Sequence, residues 1–293
     1  MTINEYLASL LKSQSLSTEQ LDALEVHREE VEGILRKKFG DTPTIRYAGS
    51  KAKHTMIAES YDLDIVCYFP HDTERALKEI YEDVYSALSE HYLLERKASA
   101  IRIKKVENGE AETDYHIDVV PGRYIDGDSG DVFLHLNDPD KERIQTNIDT
   151  HVKFVSESGC REVIKLFKLW KVRNRVAFKT FVLEIFVVQA LKGSRSKDNL
   201  EQSFVTVIEK LSSDIREISL EDPANSNNIV TDTVTDSDKN TIAAKATDAL
   251  AMLKDGSRVE IDRWKKVFDE PVYKEKDIGP VVITNPSKPW ARE

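Results

Sequence analysis

The sequence is short of the features that would place it in several large classes. Its 293 residues include two cysteines, Cys67 and Cys160. That is too few for a disulfide framework or a four-ligand zinc site, and each reads as a small buried hydrophobe. No apolar run is long enough to span a bilayer. The opening residues, MTINEYLASLLKSQS, lack the basic start and long apolar stretch of a signal peptide. The expectation is a cytoplasmic protein with no membrane contact. Basic charge is in deficit as well: 42 Lys and Arg against 52 Asp and Glu leave a net charge of −10. That is the wrong sign for constitutive binding of duplex nucleic acid. It does not count against nucleotides, because metal ions neutralise a triphosphate locally. There is no internal repeat and no low-complexity linker.

What is present suits a globular protein of one large or two modest domains, with 40% hydrophobic and 32% charged residues. Residues 4–12 form an amphipathic helix. A second helix starts at a capping box, Ser17 with Gln20, and stops at Gly40, with Leu21, Leu24, Val31, Ile34 and Leu35 as its apolar stripe. Residues 44–48 read as a strand leading to Gly49-Ser50, where a helix opens over 51–57. A strand over 62–69 and a helix over 73–90 follow. Residues 92–106 and 112–120 read as two strands paired across ENGE, the second ended by Pro121-Gly122. A turn at 126–130, a short strand DVFLHL and a loop at 136–140 come next, and from about residue 140 the pattern is helical. Residues 160–174 are amphipathic and basic, 179–191 are apolar enough for a buried central helix, and 198–211, 238–253 and 259–268 are further helices. Residues 222–230 read as a polar loop, and the tail carrying Pro271, Pro280, Pro286 and Pro289 as extended. Strands first and helices afterwards give an α+β fold. A catalytic lobe over residues 1–150 and a helical lobe over 151–293 would enclose an active site in the cleft between them.

Three aspartates carry the chemistry. Asp62 and Asp64 are two apart in SYDLDIVCYF, so on a strand both point to one face. Asp118, in YHIDVVPGRY, reaches that face from a neighbouring strand. Acids inside runs as apolar as Leu63, Ile65, Val66, Cys67 and Ile117, Val119, Val120 are poor structural choices. Three convergent carboxylates need a hard cation between them, as at a two-metal phosphoryl-transfer site. Gly49 permits close backbone approach, and Ser50 can cap a helix or bond a phosphate oxygen. Lys51, Lys53 and His54 follow on a helix read as exposed. Tyr115, His116, Tyr124, His135 and His151 show no catalytic spacing and read as packing or surface residues.

Gly49-Ser50, then Asp62-Leu63-Asp64, then a distant Asp118 resembles the signature of the DNA polymerase β-type nucleotidyltransferases. Within them it most resembles the cGAS/DncV-like enzymes (CD-NTases) and the related oligoadenylate synthetases. Lys168-Leu169-Trp170 resembles the family's K-x-W helix, whose lysine contacts the donor triphosphate; Lys165 shares that face, and Trp170 reads as core. DPANSNN, residues 222–228, is similar to a family loop beside the nucleotide pocket, with Ser226 where proline is common, and is given no chemistry. The resemblance spans about residues 45–230. It implies a polymerase β-like mixed sheet with a helical C-terminal lobe and two Mg²⁺ ions, replaceable by Mn²⁺, held by Asp62, Asp64 and Asp118. Gly49, Ser50 and Lys168 would orient a nucleoside triphosphate. The implied product is a cyclic di- or oligonucleotide second messenger in bacterial antiphage signalling. No Cys/His zinc insertion and no basic spine is present, which favours a member without nucleic-acid activation, and regulatory or effector proteins are conceivable partners. Three rivals remain: a template-independent polymerase of the same fold, a tRNA-end transferase (YHIDVVP also resembles the third-acid strand of archaeal-type CCA-adding enzymes), and a catalytically silent nucleotide-binding or antitoxin-like module.

Overall fold

Two capping boxes start the chain. In helix α1 (Ile3–Ser13) the Thr2 hydroxyl accepts from the Glu5 N–H while the Glu5 carboxylate accepts from the Thr2 N–H; in α2 (Thr18–Phe39) Ser17 and Gln20 do the same. Gly40, at φ 62°, ends α2. The structure is a computed structural model, and it describes residues 1–106, 115–194, 199–257 and 259–270. After α2 come β1 (Thr44–Tyr47), α3 (Gly49–Lys53), β2 (Leu63–Phe69), α4 (Leu77–Ser89), β3 (Tyr92–Arg96), β4 (Ile101–Val106), β5 (Ile117–Tyr124), β6 (Val132–His135) and β7 (Arg143–Thr146). Helices α5 (Ile148–Ser158), α6 (Arg161–Arg173), α7 (Thr180–Ala190) and α8 (Leu200–Asp214) follow, then a hairpin of β8 (Glu221–Asp222) and β9 (Asn225–Ile229), then α9 (Asp236–Lys254) and α10 (Glu260–Val267).

The seven-stranded sheet is mixed, in the order β1-β2-β5-β4-β3. Strand β6 pairs with the far part of β5, and β7 with β6. Among the described strands only β2 and β5 run parallel. The period of two sorts the sheet's residues by face. Leu63, Ile65, Cys67 and Phe69, with Ile117, Val119, Ile101 and Ile103, pack in one cluster with Leu24, Val31 and Leu35 of α2 and Ile80, Tyr81, Val84 and Leu88 of α4. Val66, Tyr68, Val132 and Leu134 form a separate cluster on the opposite face. Asp64, Asp118 and Arg102 alternate with residues of the first cluster and so point the other way. Both faces are covered, which is why β2 reads as a nearly continuous apolar run.

Helices α5–α10 share a separate core with α1. Phe167 of α6 stacks on Phe204 of α8 with ring centroids 4.5 Å apart, and Trp264 and Phe268 close on Phe204. Trp170 is part of this core, as its sequence context suggests, and so are Ile3, Tyr6, Leu7, Leu10 and Leu11 of α1. Both cysteines are buried. Among the described residues no helix is long and apolar enough to cross a membrane.

Several elements depart from the sequence reading. Residues 92–106 form two strands, β3 and β4, turning at 97–100, where Lys97 N–H bonds the Ala100 carbonyl. Asn137 clasps that turn from beyond β6: its N–H donates to the Ala98 carbonyl and its Nδ2 to the Lys97 carbonyl, both at 2.7 Å. Pro121-Gly122 does not end β5. Pro121 sits between the last residue paired to β4, Val119, and the first paired to β6, Arg123. There the outer edge of β5 carries no strand, and a residue without an N–H is tolerated at such a place. Helix α3 is shorter than expected, β7 lies where helix was read, and residues 222–230 pair as a hairpin; four polar residues in NSNN hide the strand. The ENGE turn and the proline-bearing tail lie outside the described residues. Leu35→Ala, a fully buried position in α2, is expected to cost about 2–5 kcal/mol, read as a lower midpoint in chemical denaturation.

Candidate active site

Gly49 and Asp64 are built around one another. Strand β1 runs antiparallel to β2 and is followed by Ala48, whose N–H bonds the Asp64 carbonyl at 2.9 Å. The chain then turns through Gly49 at φ 53°, a conformation that costs an L side chain energy. A Cβ on Gly49 would lie 1.7 Å from Asp64 Oδ2. Glycine is therefore needed twice, for the turn and for the room the carboxylate occupies. Ser50 follows in the first turn of α3 and lines the same cavity; the residue before the helix, Ala48, supplies no side-chain cap.

The three predicted acids are brought together by register. Asp64 on β2 pairs directly with Asp118 on β5. Asp62 lies just before β2 and accepts from the His116 N–H at 3.3 Å, beside the end of β5. Asp118 is not free: Arg102, opposite it on β4, grips both its oxygens, Nε to Oδ1 at 2.8 Å and Nη2 to Oδ2 at 2.7 Å. Among the described residues no group of three or more His, Cys, Asp or Glu side chains is arranged to hold a metal ion. Asp62 and Asp64, with hard oxygen donors and no cationic partner among the described residues, suit a divalent cation. The expected three-carboxylate set is thus altered by the Arg102 fork on its third member.

Buried cations face the acids. Lys168, 6% exposed, donates from Nζ to the Thr55 carbonyl at 2.8 Å. Burial lowers its pKa to about 8, with Glu184 opposing the shift. Lys53 is not on an exposed face: it is 8% exposed and ion-paired to Glu184, which is 1% exposed within the otherwise apolar α7. The second Glu184 oxygen accepts from the Thr55 hydroxyl at 3.2 Å. Lys53, Thr55, Glu184 and Lys168 form one network joining α3 to α6 and α7. Sequence reading missed Glu184, although a lone acid in KTFVLEIFVVQAL was its signal. Lys165 is not brought to the site; it pairs with Glu162 at 3.0 Å. Lys171, on the other side of Lys168, is the half-buried neighbour, with Nζ donating to Thr180 Oγ1 at 2.8 Å.

Three cavities run in series past these residues. The middle one, about 240 Å³, is lined by Gly49, Ser50, Lys53, Asp62, Asp64 and Lys168 among others. On one side it shares Gly49, Lys53, Asp64 and Phe181 with a cavity of about 420 Å³ walled by Val66, Val120, Leu134, Ile144 and Ile148. On the other it shares Ser60, Tyr61 and Asp62 with a second cavity of about 420 Å³ reaching Tyr115 and His116. The apolar cavity has a polar corner. His151 Nε2 lies 2.6 Å from Asp222 Oδ1, Asn228 Nδ2 donates to Asp222 Oδ2 at 3.1 Å, and the His151 ring packs on Phe181 with centroids 4.8 Å apart. Burial works against the Asp222 carboxylate, but the bonds from His151 and the Ala224 N–H hold its pKa below the usual value. His151 and the DPANSNN segment, given no chemistry on sequence, therefore meet at this wall.

Asp64 yields a pH test. Burial, then the charges of Asp62 and Asp118, raise its pKa from 3.8 to about 6, against Lys53 and Lys168. An acid with a raised folded-state pKa costs no stability below pH 4; the cost develops between pH 4 and 6 and is complete above. At 1.36 kcal/mol per pH unit it is on the order of 3 kcal/mol. Asp64→Asn is expected to raise the melting temperature of metal-free protein at pH 7.5, with the gain vanishing near pH 4 in a thermal-denaturation series.

No family model matches the sequence, and no curated protein matches it. Solved structures do. CdnC of E. coli MS115-1, in its complex with HORMA-deltaN, is 18% identical with a TM-score of 0.69 over 90% of this chain and 96% of its own. The Vibrio cholerae cyclic AMP-GMP synthase DncV, with a nonhydrolyzable GTP, is 17% identical with a TM-score of 0.65 over 92% and 85%. The Cid1 poly(U) polymerase, as an H336N mutant bound to MgATP, is 12% identical with a TM-score of 0.67 over 92% and 99%. The mixed sheet and its helices thus share one fold with CdnC, DncV and Cid1 over about nine-tenths of the chain.

Proposed function

We infer that the protein is a metal-dependent nucleotidyltransferase that joins nucleoside triphosphates into a cyclic di- or oligonucleotide, releasing pyrophosphate. One observation carries the reading: a half-buried carboxylate, Asp64, sits under the Gly49 turn and lines the middle cavity together with two buried lysines, Lys53 and Lys168, where that cavity meets the apolar one. A triphosphate fits the middle cavity and leaves room for a nucleoside on either side. That DncV is a cyclic AMP-GMP synthase supports a cyclic product, and the HORMA complex of CdnC supports a protein partner. A role in antiphage signalling follows from the family resemblance.

Asp62 and Asp64 are assigned to the divalent cation, Mg²⁺ or Mn²⁺. When bound there, the ion would neutralise the triphosphate and lower the pKa of the attacking hydroxyl. The chain's own groups do the positioning. Gly49 lets the backbone approach the phosphates, and Ser50 offers a hydroxyl to a phosphate oxygen. Lys168, pinned by the Thr55 carbonyl, offsets charge on the departing pyrophosphate, and Lys53 stands beside it. Asp118, its plane fixed by Arg102, faces Asp64 across the strands. Val66, Val120 and Phe181 exclude water from the apolar cavity, where a planar base packs. The chemistry is orientation and electrostatics more than covalent participation. The catalytic lobe is assigned to residues 1–150 and the second lobe to 151–293, with α1 packing into the core of the second.

A second reading, a template-independent polymerase making linear products, draws on the likeness to Cid1. Incubation with labelled ribo- and deoxynucleotides and Mg²⁺ or Mn²⁺, followed by phosphatase and mass spectrometry, separates the two. A short phosphatase-resistant product is expected; a ladder of linear oligomers would favour the second reading, and no product from any mixture would count against both. Asp64→Asn is expected to abolish turnover while leaving the circular dichroism spectrum unchanged. Lys168→Gln is expected to raise KM for the triphosphate by about tenfold, the equivalent of ~1.4 kcal/mol. Because Lys168 loses its charge as pH rises through about 8, kcat/KM for the wild type should fall above that pH.

A further inference from the structure

Across four strands the sheet carries one line of charge. Glu95 on β3 is in register with Arg102 on β4, Arg102 with Asp118 on β5, and Asp118 with Asp64 on β2. Residues directly opposite one another lie on the same face and interact. Two aspartates side by side repel, and the sheet answers with a cation on the outer flank. Arg102 and Asp118 are largely buried, their side chains 20% and 16% exposed. The guanidinium is planar and permanently charged, and its two-pronged grip fixes the plane of the carboxylate.

This grip has a consequence for metal binding. Asp118 already has its counter-charge, and a dication brought to its oxygens meets a fixed positive group in a poorly solvated place. Among the described residues Asp62 and Asp64 are held in no such ion pair; Lys53 and Lys168 act on Asp64 through their charge alone, without gripping its oxygens. On its other side Arg102 faces Glu95, which now accepts from Lys97 at 3.1 Å and from Lys104 at 2.8 Å. A guanidinium leaving Asp118 therefore has a carboxylate to turn to, one that two flexible lysines can release.

We propose that Arg102 gates the second metal position. In the nucleotide-free protein it holds Asp118, so that one divalent cation binds, on Asp62 and Asp64; a second reaches Asp118 only when Arg102 has turned towards Glu95. The gate rests on the metal-dependent reading above and makes Arg102 a positioning residue, acting through Asp118. The test is a Mn²⁺ titration of the nucleotide-free, full-length protein, with free Mn²⁺ read by electron paramagnetic resonance and folding checked by circular dichroism. Wild type is expected to bind one ion and Asp64→Asn none at the same concentrations. Arg102→Gln should bind two, the second at least roughly tenfold tighter than wild type binds it. Arg102→Lys keeps the charge but gives up the two-pronged grip, so it should fall between, and it carries the test if Arg102→Gln does not fold. Two ions of similar affinity in the wild type, or a single ion in both Arg102 variants, would overturn the gate and leave metal dependence standing. Unchanged Mn²⁺ binding by Asp64→Asn would overturn the ion site on Asp62 and Asp64, and the gate with it.

Discussion

The structure depends on keeping charge inside a sheet that is covered on both faces. Asp64 is the focus: half-buried in an otherwise apolar strand, it is set opposite a second carboxylate and has no side-chain ion pair of its own among the described residues. A buried charge is tolerated only when the surroundings compensate it. Here compensation comes from three directions. Arg102 neutralises the neighbour on the sheet, Lys53 and Lys168 approach from the helices, and the Gly49 turn gives the carboxylate space.

Those lysines are themselves buried charges and need support in turn. Glu184 supplies it from the middle of the most apolar helix, and the Thr55 side chain and carbonyl complete the network. The chain from Asp64 through Lys53 to Glu184 makes the joint between sheet and helices electrostatic as well as apolar. Breaking one member of such a network leaves the others uncompensated, which is why networks of this kind are all-or-none in their effect. The clasp at the other end, where Arg173 of α6 grips Glu59 and Glu270, is more exposed and contributes less.

The order of elements was legible wherever local chemistry decides it: the capping boxes, the Gly40 stop, the period-two acids, and the apolar runs of β2 and α7. The fold class and its mixed sheet followed from those, together with the resemblance. What stayed hidden depended on partners distant in sequence. Pro121 read as a strand end because a proline removes an N–H, and only the gap between β4 and β6 makes it harmless. Lys53 read as solvated because nothing nearby in sequence announces Glu184, 131 residues away. Arg102 sits in an ordinary alternating strand, and its hold on Asp118 is a matter of register between β4 and β5. His151 and Asp222 are 71 residues apart and meet only because α5 and the β8–β9 hairpin border the same cavity.

The Asn137 clasp has a mechanical meaning. Strand β5 is a spine from whose one edge two leaves project in succession, the β3–β4 hairpin and the β6–β7 hairpin, each hinged by a few ladder bonds with an open gap between. Left alone, the leaves would flap independently. Two backbone carbonyls of one leaf's tip held by a single asparagine of the other turn them into a single panel. The wall of the apolar cavity, Leu134 and Ile144, and the strand bearing Arg102 then tilt as one, so that whatever presses on the first is felt, as leverage, by the second.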